Sequence, residues 1–286
     1  MKVKIGYQSP YSTSWSITHV FKKFHEYCLE NVGGVEFEYL NYDHHLDGNP
    51  SGLFSPHNMR LINEDTGKYI VVSYWDKAIE MTWKGNGWNP DKCVGFITSS
   101  GTNEGMDYIP FSYLPYLKFF SEHHANTKPF DKKELTELTF RGFLYGQRLA
   151  LSEIGKIKIT NEKIYPEQRY YEDLTNSKIC LSLNGAGEIC NRDLEILSAG
   201  SVLFRPALKQ KFHNPLVPGV HYIGYQYVND PNQQMDIILN EYEKIKNDDE
   251  LLRTVANNGY EWFKNNGTID KNVDLLKQLV NFEALK

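Results

Sequence analysis

Three arginines in the second half of the chain stand where an anion could bind. Arg141 and Arg148 follow an apolar segment, and Arg192 follows the turn Asn184–Gly187. Placing a guanidinium at the ends of the strands of a sheet costs desolvation free energy unless an anionic partner offsets it. The planar fork of a guanidinium also matches the oxygens of a phosphate group. These arginines therefore predict a binding site for a diphosphate.

The turn before Arg192 belongs to a complete supersecondary unit. Ile179–Leu183 predicts a buried strand, Gly185 and Gly187 keep side chains away from the turn, and Ser201–Phe204 predicts a second strand. The helix between them ends at Gly200. A β-turn-α-β unit has parallel strands, and its helix N-terminus favours an anion.

Three charged residues share one face of this predicted helix: Glu188, Arg192 and Glu195. They allow two interpretations. Arg192 could close on the anion, or the three could form exposed ion pairs worth about 0.2–0.5 kcal/mol each. A dinucleotide site is disfavoured, because the full GxGxxG pattern and its later acidic residue are missing.

The first half offers carboxylates and aromatic side chains instead. Asp76 follows the apolar segment Tyr69–Tyr74, and Asp107 follows a serine-rich turn. A carboxylate at the carboxyl end of a strand can act as a general base. Aromatic residues in the loops could stack on a sugar or a base, although anchoring a plain turn is their commoner role. These candidates are Tyr11, Trp75, Trp83 and Trp88.

The elements that must position these residues alternate between strands and helices. Val3–Tyr7, a helix over residues 16–31 and Val35–Leu40 predict a β-α-β start, with Val20, Phe24 and Cys28 on the buried side of the helix. Ligands of such sheets bind at the carboxyl ends of the strands. Further strands are predicted over Cys93–Thr98 and residues 138–142. Residues 209–225 are predicted to be irregular, and the chain is predicted to close with helices over residues 235–246, 249–265 and 270–281.

Composition limits the class of protein. The 286 residues suffice for two medium domains, and the net charge of −5 excludes a strongly basic nucleic-acid coat. The four cysteines include no CxxC pair, so neither a disulfide framework nor a zinc site is indicated. The N-terminus lacks the apolar region of a signal peptide, and no apolar run is long enough to cross a bilayer. We therefore expect a cytoplasmic protein without a membrane partner.

Several motifs resemble one enzyme family. Phe140-Arg141-Gly142, with Arg148 after it, resembles the motif of the Rumi-type protein O-glucosyltransferases and capsule-associated transferases of glycosyltransferase family 90. A later series is similar to the same family: Arg192, Leu197, Gly200-Ser201-Val202, Leu216, Pro218, His221 and Tyr222. The chain departs from the family after Asp76, where Lys77 stands in place of the usual proline.

The resemblance implies a GT-B fold, which is α/β with two facing Rossmann-like domains and C-terminal helices that pack back toward the N-terminal domain. Residues 1–125 would form the Rossmann-like acceptor domain. Residues 130–265 would form the nucleotide-sugar domain, and residues 266–286 the helix that returns to the first domain. The implied activity is sugar transfer from a nucleotide-diphosphate donor, a UDP-sugar above others, with inversion and without a required metal or other cofactor.

The resemblance also implies roles for individual residues. Arg141, Arg148 and Arg192 would neutralise the donor diphosphate. Together with residues of the motif, the turn and the helix, the predicted donor-binding set comprises Arg141, Gly142, Arg148, Gly185, Gly187, Glu188, Arg192 and Glu195. Asp76 would be the general base, with Asp107 as its alternative and a structural aspartate as a third interpretation. The acceptor would be a saccharide or a hydroxymethylated base of phage DNA, in the host cytoplasm if a phage encodes the protein. Two other hypotheses are a non-catalytic nucleotide or sugar binder and a DNA-binding module without chemistry.

Overall fold

A computed structural model describes most of the chain. The described residues are 1–7, 15–41, 58–74, 91–98, 109–110, 127–141, 148, 158–160, 167–185, 188–209 and 212–286. They form two β-sheets with helices packed on them.

The first sheet is mixed. Its strands are β1 (Lys2–Tyr7), β2 (Glu36–Asn41), β3 (Asn58–Asn63), β4 (Tyr69–Ser73), β5 (Cys93–Thr98) and β6 (Ile109–Pro110), in the order β2-β1-β3-β4-β5-β6. Helix α1 (Trp15–Asn31) joins the parallel strands β1 and β2, as predicted. Strand β3 was not predicted and runs antiparallel to both of its neighbours.

One apolar core covers a face of this sheet. Val20, Phe24 and Cys28 of α1 are fully buried in it, which confirms the predicted side of the helix. Residues from the end of the chain join the same cluster, among them Leu276 and Leu285. They belong to helices α6 (Ile269–Leu279) and α7 (Phe282–Leu285). The C-terminal helices therefore pack on the sheet that the N-terminus begins.

The second sheet is entirely parallel. Its strands are β7 (Leu135–Arg141), β8 (Lys158–Thr160), β9 (Ser177–Leu181), β10 (Val202–Pro206) and β11 (Ile223–Tyr225), in the order β11-β10-β9-β7-β8. Its helices are α2 (Glu167–Asn176), α3 (Asn191–Ser198), α4 (Pro231–Ile245) and α5 (Asp249–Asn266). Strand β11 lies in a segment that was expected to be irregular.

Helices cover both faces of the second sheet. Ile179 and Leu181 of β9 point to a cluster with α4 and the first half of α5. Cys180, between them in sequence, points to the opposite cluster with α2, α3 and the second half of α5. Because successive side chains of a strand alternate in direction, an apolar run of this kind can fill both cores.

The predicted strand-turn-helix-strand unit is confirmed as β9-α3-β10, with its two strands parallel. Gly200 follows α3 at φ 62°, and a Schellman pair of hydrogen bonds closes the helix. The helix starts later than predicted, since Cys190 is its N-cap. Glu188 therefore precedes the helix, and the prediction that it shares a helical face with Arg192 and Glu195 is wrong.

Candidate functional site

The strand order places a crevice between β7 and β9. From β7 the chain continues to β8 on one side, whereas from β9 it continues to β10 on the other. Connections that diverge in this way leave an open crevice at the carboxyl ends of the two strands, and ligands of open parallel sheets bind there. The predicted donor residues lie around this point. Arg141 ends β7, and Gly185 follows β9.

Arg148 contacts the turn after β9. Its side chain is buried, and Nη2 donates to the carbonyl oxygens of Leu183 at 3.3 Å and Asn184 at 3.2 Å. A Cβ atom at Gly185 would lie 3.9 Å from the same Nη2 and 3.5 Å from Cβ of Cys190. The guanidinium is thus packed against the start of the glycine turn.

Arg192 lies across the crevice, at the beginning of α3. Its guanidinium carbon is 4.6 Å from the centre of the Phe140 ring on β7. The Nε and Nη1 atoms are buried and have no hydrogen-bond partner within the described ranges. A buried donor without a partner costs about 1–3 kcal/mol, and more when it is charged. An anionic ligand would remove that cost.

The carboxylates of the predicted set have partners of their own. Glu195 is 5% exposed and accepts a hydrogen bond from the Tyr170 hydroxyl of α2. Burial and the neighbouring Glu195 raise the pKa of Tyr170 well above its usual value, so the phenol stays protonated and donates. Glu188 accepts a hydrogen bond from the backbone N–H of Lys209 at 3.0 Å.

Arg141 already has an anionic partner. Its Nε donates to Oδ2 of Asp173 in α2 at 2.8 Å, and its Nη1 donates to the Phe140 carbonyl at 3.3 Å. The Arg141 side chain is 2% exposed and that of Asp173 is 26% exposed. A diphosphate is therefore not required to balance this charge, and donor binding by Arg141 stays a prediction.

Sequence reasoning missed Arg205, a buried cation at the end of β10. It pairs with Asp193 of α3 through Nη1. Its Nη2 donates to Oδ1 of Asn184 at 3.1 Å and to the Glu188 carbonyl at 2.6 Å. Arg205 follows an apolar strand, as Arg141 does, so the pattern that singled out Arg141 could have found it.

The other predicted site residues lie outside the described part of the chain. They are Tyr11, Trp75, Asp76, Trp83, Trp88, Asp107, Gly142 and Gly187. Their roles stay predictions, as do the residue ranges of the two domains. Among the described helices, none is long and apolar enough to cross a membrane.

Comparison with known proteins finds similarity in structure but not in sequence. No protein-family model and no curated protein matches the chain. An alpha-glucosyltransferase in complex with UDP-glucose and DNA containing an abasic site superposes with a TM-score of 0.52 at 8% identity, covering 97% of this chain and 98% of that one. The alpha-glucosyltransferase with UDP and a 13-mer DNA containing a HMU base has a TM-score of 0.50 at 9% identity and full coverage of both chains.

A third similar structure is the pneumococcal O-GlcNAc transferase GtfA in complex with UDP and GlcNAc. Its TM-score is 0.40 at 10% identity, and the match covers 53% of this chain and 36% of that one. Together the fold and the full-length matches show an α/β protein with one mixed and one parallel sheet, similar in fold to GT-B glycosyltransferases. Membership of glycosyltransferase family 90 is not confirmed and stays a prediction.

Proposed function

We propose that this protein is a glycosyltransferase that moves a sugar from a nucleotide-diphosphate donor, a UDP-sugar above others, to an acceptor hydroxyl. The observation that carries the proposal is the guanidinium of Arg192 at the crevice between β7 and β9, because its Nε and Nη1 atoms are buried and have no hydrogen-bond partner in the described structure. The likeness in fold to an alpha-glucosyltransferase bound to UDP-glucose over almost the whole chain supports it.

The donor diphosphate would lie between the glycine turn and the start of α3. Arg148 packs against the start of the turn and Arg192 lies in the first turn of α3, so a diphosphate between them would contact two guanidinium groups. The dipole of α3 also favours an anion near its N-terminus. The guanidinium groups bind the donor and stabilise the charge on the departing nucleotide.

The chemical step transfers the sugar to the acceptor oxygen. That oxygen attacks the anomeric carbon, the bond from this carbon to the diphosphate oxygen breaks, and the nucleoside diphosphate leaves with the bonding electrons. An aspartate, Asp76 or Asp107, takes the proton of the acceptor hydroxyl, which is worth about 10²–10⁴-fold in rate. Positive groups placed in advance at the leaving diphosphate contribute further, and we propose that they take the place of a metal.

Two acceptors are proposed, a saccharide and a hydroxymethylated base of DNA. Two of the full-length structural neighbours were solved with DNA, one of them with a HMU base, which favours the second. The net charge of −5 favours the first, because DNA binding depends on positive charge that neutralises phosphates. A duplex acceptor would also require the target base to leave the stack.

The test is a nucleotide-release assay with UDP-, GDP- and dTDP-sugars, in EDTA, with hydroxymethylated DNA or a mixture of mono- and oligosaccharides as acceptor. We expect release from one nucleotide class, accelerated by one acceptor class. Asp76→Asn and Asp107→Asn separate binding from turnover, since loss of the base lowers turnover about 10²–10⁴-fold with donor affinity kept. Release from no donor would refute the proposal, and donor binding without turnover would favour the non-catalytic binder.

A further inference from the structure

Arg205, which sequence reasoning missed, makes hydrogen bonds to residues on both sides of the glycine-containing segment after β9. Arg205 is 1% exposed and is among the largest fully buried side chains of the described residues. Its Nε donates to the Pro206 carbonyl at 3.0 Å, while Nη1 and Nη2 reach across to the neighbouring β9-α3 connection. The guanidinium of Arg205 thus donates its hydrogen bonds to acceptors within the protein.

Arg205 holds the β9-α3 connection at both ends. Near β9 it binds Oδ1 of Asn184 at 3.1 Å, and near α3 it binds the carbonyl oxygen of Glu188 at 2.6 Å. The two glycines of the predicted anion turn, Gly185 and Gly187, lie between these points in the sequence. One planar group therefore fixes the separation between the two ends of the turn.

The same guanidinium reaches the start of α3 through Asp193. This carboxylate is fully buried, pairs with Arg205, and accepts a hydrogen bond from the backbone N–H of Cys190 at 3.0 Å. Cys190 is the N-cap residue, and Arg192 is the second residue of the helix. Arg205 is thereby linked to the orientation of the helix end that carries Arg192.

Stability alone is a poor explanation for this arrangement. Replacing a buried ion pair by apolar residues of similar volume is often neutral or stabilising, because the desolvation of two charges offsets their attraction. A guanidinium, in contrast, presents several donors in a fixed plane, so it can hold separate acceptors in one geometry. The arginine at this position is therefore better explained by the positions in which it holds its acceptors than by a contribution to core stability.

We infer that Arg205 is a positioning residue for the nucleotide-sugar donor: it holds Asn184, Glu188 and the start of α3 in the arrangement that binds the diphosphate. The inference rests on the proposed function. Lysine at this position keeps a positive charge for Asp193 but replaces the planar fork with a point charge that cannot span Asn184 and Glu188 in the same way.

The experiment compares Arg205→Lys with the wild type and with the control Arg253→Lys, which alters an exposed ion pair with Asp131 in another part of the fold. We expect Arg205→Lys to remain folded and to bind UDP about 10- to 100-fold more weakly, whereas the control binds as the wild type does. Amide hydrogen exchange without ligand should be faster in the peptide of residues 182–194 in Arg205→Lys only. If Arg205 had a purely structural role, the folded lysine variant would keep the UDP affinity and the hydrogen-exchange rates of the wild type. Unchanged affinity would overturn the inference, and so would unchanged exchange in residues 182–194.

A double variant covers the case in which lysine does not fold. Arg205→Met with Asp193→Leu removes both buried charges together, so no charge is left unpaired in the core. We expect the folded double variant to show the same loss of UDP affinity and the same faster exchange. Failure of the wild type to bind any nucleotide would refute the proposed function. Wild-type binding with unchanged affinity in the folded variants would refute only the role of Arg205.

Discussion

Lys133 offers a test of how the helices behind the candidate site are held. Its side chain is 4% exposed, and its ammonium donates to the carbonyl oxygens of Thr175 at 2.6 Å and Ala199 at 2.8 Å and to Oγ of Ser201 at 3.1 Å. Thr175 lies in the last turn of α2, and Ala199 is the C-cap of α3. The ammonium of Lys133 thus donates hydrogen bonds to carbonyl groups at the C-terminal ends of both α2, which carries Asp173, and α3, which carries Arg192.

The pH dependence of this group has a definite sign. Burial lowers the pKa of Lys133 from 10.5 to about 8. Below pH 8 both folded and unfolded chains hold the proton, and the cost of burying the charge is fully present. Between pH 8 and 10.5 the unfolded chain binds more protons, so the contribution of Lys133 to the free energy of unfolding rises with pH. The rise is about 2 kcal/mol between pH 7 and 9.5.

Other buried groups change stability in the opposite direction over the same range. Burial raises the pKa of Cys28 to about 12 and that of Tyr225 well above its usual value, so both favour unfolding at high pH. The assay therefore follows the difference in unfolding free energy between wild type and Lys133→Met, from urea titrations at pH 7 and 9.5. We expect this difference to shift by about 2 kcal/mol in favour of the wild type at the higher pH. A difference that does not change with pH would refute the reasoning.

Two glycines give further predictions, each measured by thermal and urea unfolding. Gly259→Ala would place Cβ 2.6 Å from the His221 carbonyl oxygen and 2.7 Å from Cδ2 of Leu197, so we expect a loss of about 1–3 kcal/mol despite the helix propensity of alanine. The matched control Asn257→Ala, at an exposed position of the same helix, should be neutral or stabilising, and equal effects would contradict the close packing of α5. Gly200→Ala should cost about 1–2 kcal/mol, because alanine is strained at φ 62°; an unchanged midpoint would contradict the Schellman end of α3.

Local patterns predicted the elements around the candidate site well. Ile179–Leu183 was a short apolar run between polar segments, and Gly200 stood where a helix must end, so β9-α3-β10 followed from sequence. The position at which α3 starts could not be predicted from the sequence, because cysteine is not a favoured N-cap residue. At Cys190 the cap depends on Asp193, whose carboxylate is held in place by Arg205 from the next strand.

Local sequence patterns could not predict contacts between residues that are distant in sequence. Arg141 looked like an anion-binding residue, yet Asp173, 32 positions later, pairs with it. Strand β3 was missed because Asn58–Asn63 mixes polar and apolar residues, and its place in the sheet depends on antiparallel pairing with β1 and β4. In both cases the deciding contact joins residues that are distant in sequence.

The central claim is that the crevice between β7 and β9 binds a nucleoside diphosphate through Arg192. The most direct measurement is a calorimetric titration of UDP, without metal, into the wild type, Arg192→Gln and the surface control Arg253→Gln. A hydrogen bond to a charged group is worth about 1.5–3 kcal/mol, so we predict that Arg192→Gln weakens UDP binding about 10- to 150-fold and that the control leaves it unchanged. Wild-type affinity in Arg192→Gln would contradict the account.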